Sequence, residues 1–187
     1  LYYGFARLGY FFAFEDTTAL PAWPPSGIAF ALIILLGRSA WPGITIGSLV
    51  ANIMAYCHTP AMPTETIIII STLIAIGHTL EAVTGNILLK LWAKNDYPFH
   101  QTGYAFRFLF INMIMCAVGA TIGTSSLYFN HVLTNYDVLK TGFSWWMGNM
   151  VGVLLFTPFI LSVARRHELR FSVEKVVEFS IFFTCVV

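Results

Sequence analysis

The sequence predicts an all-α protein, a polytopic bundle of transmembrane helices, and three observations carry that prediction. Of its 187 residues, 57% are hydrophobic and only 10% are charged, more apolar surface than one soluble core of this size can hide. The apolar residues form long runs broken by short charged or proline-rich connections. The charges in those connections alternate in sign along the chain.

A helix rising about 1.5 Å per residue needs roughly 20 apolar residues to cross about 30 Å of hydrocarbon. On that basis the chain reads as a single integral membrane domain over residues 1–187 with about seven spans. They are Leu1–Phe14, Pro24–Leu36, Trp41–Tyr56, Thr64–Trp92, Gly103–Asn130, Phe143–Ala164 and Val173–Val187. Both ends lie within apolar runs, so the sequence reads as a piece of a longer protein. The opening residues lack the basic, apolar and small-residue order of a signal peptide.

Arg38, then Lys90 and Lys94, then Arg165, Arg166 and Arg170 occupy every second connection. Glu15 with Asp16, Glu65, and Asp137 mark the others, with Lys140 the basic exception. Lys and Arg in short loops remain cytoplasmic, which places the N-terminus in the cytoplasm. The seventh span then ends outside, so a cytoplasmic domain downstream needs an eighth span in the full domain.

The second span, Pro24–Leu36, covers only about 20 Å at helical rise. Its start, Trp23-Pro24-Pro25-Ser26-Gly27, suits a first helical turn. Two readings stand. In one, the helix starts within the membrane below an outward-facing recess and aims its positive dipole end at an anion or polar ligand. In the other, it is a tilted helix with a Pro-rich cap.

His78 and Glu81 fall near the middle of the fourth span, three residues apart on one helical face. An ionisable group at that depth faces the bundle interior and takes a partner. Arg7 and Arg107 are the candidates. Functionally the pair offers ligand, proton or metal contacts; structurally it is a polar clasp. No third ligand stands at metal spacing, so no metal site is assigned. Asn52, Asn86, Asn112 and Asn149 add interhelical hydrogen-bonding groups.

Small residues recur at helical spacing: Gly43, Gly47 and Ala51; Gly119 and Gly123; Gly148 and Gly152. They let neighbouring helices approach closely in lipid. Pro158 lies within the sixth span as a kink or hinge. Trp145 and Trp146 open that span beside Trp23, as an outer aromatic belt or as the wall of a small-molecule site. The candidate ligand-binding set is therefore Trp23, Pro25, Ser26, His78, Glu81, Trp145, Trp146 and Asn149. The net charge of +1 gives no footprint for nucleic acid. Cys57, Cys116 and Cys185 form neither a disulfide framework nor a metal motif. No cofactor is implied, and lipid surrounds the spans.

Three stretches together resemble a known family. They are Trp23-Pro24-Pro25-Ser26-Gly27-Ile28-Ala29 running on to Leu36-Gly37-Arg38, Trp41-Pro42-Gly43, Gly47 and Ala51-Asn52; Leu80-Glu81-Ala82 with Gly85; and Trp146-Met147-Gly148-Asn149 with Gly152 and Thr157-Pro158. In this order the pattern is similar to the bacterial membrane-associated sensor domain of the first type (MASE). The chain departs from it at Asn149, where an aspartate is common.

The resemblance implies a multi-pass sensory domain of the bacterial inner membrane, placed ahead of a histidine kinase, a diguanylate cyclase or a cyclic-di-GMP phosphodiesterase. It implies no catalysis by this chain and names no ligand. The expected partners are an unknown small ligand, a cytoplasmic effector in the same chain and, by default, a second copy in a two-fold dimer. The competing function is a transporter or channel, which a broken helix and buried ionisable groups also describe. A membrane-embedded enzyme is the third class, and no nucleophile accompanies His78 and Glu81 to support it.

Overall fold

In the computed structural model, residues 22–57, 59, 62–93 and 102–164 are described, and all regular structure among them is helical. The elements are α1 (Pro24–Leu36), a 3-10 turn at Arg38–Ala40, α2 (Trp41–Tyr56), α3 (Thr64–Ala93), α4 (Thr102–Phe129) and α5 (Asn135–Ala164). The first and seventh predicted spans, with Arg7, Lys94, Arg165, Arg166 and Arg170, lie outside the described residues.

Three described helices, α3, α4 and α5, are long and apolar enough to cross a membrane. At helical rise they extend about 45, 42 and 45 Å. The 13-residue α1 and 16-residue α2 fall short of the roughly 20 residues a crossing needs.

α5 begins eight residues earlier than the predicted span, at Asn135 rather than Phe143. The reason is a local cap. Thr134 Oγ1 donates to Asp137 Oδ2 (2.6 Å), and the amides of Asp137 and Val138 donate to Thr134 O. The charged residues that looked like a connection thus start a helix above the apolar segment. α4 stops where predicted. His131 adopts φ 59°, and Val132 N–H and His131 N–H donate to Leu127 O and Tyr128 O, the left-handed C-terminal cap of a helix.

α1 is apolar all round, and it is buried accordingly: every residue from Pro24 to Ala31 is buried, and so is Ile33. It packs against α5 and α3, while α2–α3, α3–α4 and α4–α5 pair in sequence. Contacts rising together in number (Trp23 with Gly148, Gly27 with Gly152) make α1 parallel to α5. Opposed numbering makes the sequential pairs antiparallel, as in Thr45 with Thr79, Glu81 with Gly119 and Asn112 with Met150. Arg38, Lys90 and Arg107 therefore share one end of the bundle, and Glu65 and Asp137 share the other.

Side chains are sorted in the sense lipid requires. Ser26, Asn52, His78, Glu81, Asn112, Asn149 and Thr157 are buried, while Ile46, Ile68, Leu91, Phe106, Phe110 and Phe159 are exposed. Apolar clusters fill the remaining interior, one around Trp23, Ile33, Ile44 and Ala82, another around Phe30, Phe108, Met115 and Val153.

Candidate functional site

The α1–α5 contact fixes the site's outer wall. Trp23 N–H donates to Gly148 O (2.8 Å) and Thr157 Oγ1 donates to Gly27 O (2.8 Å). A Cβ on Gly27 would overlap Gly152 O, and one on Gly152 would overlap Trp23 O. Backbone therefore lies on backbone here. Because Pro24 and Pro25 carry no N–H, and Trp23 and Ser26 N–H donate to Gly148 O and Trp23 O, the start of α1 is not the open amide nest expected for an anion.

Glu81, 1% exposed, occupies the ground between this wall and α4. Asn149 Nδ2 on α5 donates to Glu81 Oε2 (2.9 Å), and the Cys116 thiol on α4 lies 3.7 Å from Oε1. Ser26 on α1 turns its hydroxyl toward the same carboxyl without completing a hydrogen bond of regular geometry. Cys116 also donates to Asn112 Oδ1 (3.0 Å), and Asn112 Nδ2 donates to Met150 O (3.0 Å). Side chains from four helices thus meet at one carboxyl group. A Cβ at Gly119 would overlap Glu81 Oε2, so that glycine makes room for the acid.

His78 shares α3 with Glu81 but serves a different neighbour. Its Nδ1 lies 3.0 Å from Ser48 Oγ on α2, which also receives Asn52 Nδ2 (3.3 Å). The Trp23 ring stands 6.3 Å from the imidazole. Thr45 and Thr79 hydroxyls add a bond of 2.8 Å between the same two helices. Trp23 therefore joins the two polar groups, through its ring on one side and its backbone on the other.

The sequence-predicted residues divide accordingly. Ser26, Glu81 and Asn149 come together, Trp23 and His78 form the adjoining group, and Pro25 is buried in the first turn of α1. Trp145 packs over Gly123, and Trp146 Nε1 donates to Met113 O (2.9 Å), so both indoles dock on α4. Arg107 does not partner Glu81. Its Nη1 donates to Trp92 O (3.0 Å), about 14 Å along α4 from Cys116 at helical rise. Among the described residues, the groups on the Glu81 carboxyl are all neutral.

The glycines divide as well, with Gly152 at the close backbone approach to α1. Gly119 and Gly123 receive side chains, Gly148 supplies the carbonyl held by Trp23, and Gly43 is exposed with nothing within 4 Å of a Cβ. Sequence reasoning missed Cys116, Ser48 and Thr157. A signal existed: Cys116 follows Asn112 by four residues and Asn52 follows Ser48 by four, each pair on one helical face.

An all-helical bundle with polar groups inside and an apolar exterior is, by class, an integral membrane protein. The chain matches the MASE1 family over residues 1–187, its whole length, and belongs to that family of membrane-associated sensor domains. No curated protein and no solved structure matches it.

Proposed function

We propose that this chain is the signal-input domain of a bacterial inner-membrane signalling protein, and that the Glu81 cluster receives the signal. The carrying observation is that Ser26, Glu81, Cys116 and Asn149, from α1, α3, α4 and α5, converge on one buried carboxyl. Any occupant that changes its charge or hydrogen bonding alters the contacts of α3 with three other helices at once. A ligand acts by binding two packings with different affinity, and α5 carries the shift toward the basic end of the bundle.

In this reading the domain is one unit of seven spans over residues 1–187, with its N-terminus and basic ends in the cytoplasm. An eighth span leads to a histidine kinase or a cyclic-di-GMP synthase or phosphodiesterase, and the parent acts as a homodimer. Trp23, Pro25 and His78 form the outer part of the receiving site, and Trp145 and Trp146 brace α5 beside it.

The test is effector output of the intact protein with Glu81→Gln and Asn149→Ala at unchanged membrane level. Both should lose regulation, and normal regulation in both removes the site. The short buried α1 beside an acidic group also favours a second reading, transport. Solute uptake into liposomes carrying the chain would establish it, and we expect none.

A further inference from the structure

We propose that the Glu81 cluster binds one monovalent metal cation of sodium-ion chemistry, held by the carboxylate and neutral side-chain oxygens. The inference rests on reading this cluster as the receiving site. An ionised carboxylate inside a membrane bundle calls for a compensating positive charge, and among the described residues the groups around Glu81 on α1, α4 and α5 are Ser26, Cys116 and Asn149, all neutral. His78, one turn away on α3, is engaged with Ser48 and Trp23.

The donor set selects the class of cation. One carboxylate matches one positive charge, whereas Ca2+ sites commonly gather several carboxylates. Among the described residues no three of His, Cys, Asp or Glu gather as a transition metal would require. Oxygen is plentiful. Ser26 is 3% exposed, and its hydroxyl faces the carboxyl without a hydrogen bond of regular geometry, an oxygen in reserve. The Asn149 amide touches Oε2 through Nδ2, and the same amide turned over presents Oδ1 instead. Asn112 Oδ1 stands behind the Cys116 thiol at 3.0 Å. A carboxyl group gains a negative charge and never a positive one, so an anion is the wrong ligand for this place.

Binding would draw Ser26 and Asn149 inward together and so tighten α1 and α5 on α3. Thermal unfolding of the intact chain in detergent, in NaCl, KCl or choline chloride at equal ionic strength and at several pH values, tests this. Saturating sodium should raise Tm by about 5 °C over choline. Ser26→Ala should weaken the apparent sodium affinity roughly tenfold, and Glu81→Gln should abolish the effect. Glu81→Asp keeps the charge and should keep a weaker response, which covers the case of a Gln variant that does not fold. Equal shifts in all three salts, or a sodium shift that survives Glu81→Gln, would overturn the proposal. So would stability that follows pH alone, since a proton is then the sole occupant. This readout is binding, so its failure leaves the signalling test of Glu81→Gln standing.

Discussion

Glu81 and the groups on it give the residue scale its sharpest expectations. Gly119→Ala places a methyl group where Glu81 Oε2 lies, and overpacking of this kind costs about 1–3 kcal/mol. Unfolding in detergent should show that loss, whereas Gly43→Ala, which meets nothing within 4 Å, should be neutral or slightly stabilising by helix propensity. Equal losses at the two positions would contradict the packing. Thr157→Val removes the bond to Gly27 O and should cost about 1 kcal/mol, as interhelical bonds in bundles do. That the two glycines differ was not legible in the sequence. Both stand in Gly-x-x-x-Gly patterns, and the pattern does not record which face meets a neighbour.

At the scale of elements, α1 carries the argument. Its shortness, its paired prolines and its lack of an apolar stripe were all readable, and an evenly apolar helix has to be buried. What it packs against was hidden, because the contacts with α5 join positions about 125 apart in the chain. Gly152→Leu should therefore separate α1 from α5 and release Asn149 from Glu81, lowering stability by more than Gly119→Ala, since the obstacle is backbone. The start of α5 was misplaced for a different reason: Asp137 and Lys140 looked like loop charge, yet Thr134 and Asp137 cap a helix. Removing the left-handed strain at the other side of that connection, by His131→Gly, should raise stability by about 1 kcal/mol. No gain on unfolding would contradict the cap.

For the whole molecule, composition and alternating charge made the class legible, and the antiparallel pairing of described helices places Arg38, Lys90 and Arg107 at one end and Glu65, Asp137 and the exceptional Lys140 at the other. The pairing of His78 with Glu81 was read correctly as polar and buried but not as divided between two neighbours. Helical spacing puts residues three apart on one face, and that face is wide enough to touch both α2 and α4. Orientation has a direct check. Cys57 is exposed at the acidic end and should react with a membrane-impermeant maleimide from outside intact cells. Cys116 is buried and should react only after unfolding, and a cysteine placed at Arg38 only after permeabilisation. Labelling of the Arg38 position in intact cells would invert the topology.

The central claim is that the carboxyl shared by α1, α3, α4 and α5 is where a signal enters. The most direct measurement is the effector output of the intact parent protein in its own membrane, with Glu81→Gln compared at equal membrane level. The account predicts output fixed at one value across conditions that modulate the unsubstituted protein. Full modulation by the Gln variant would contradict it.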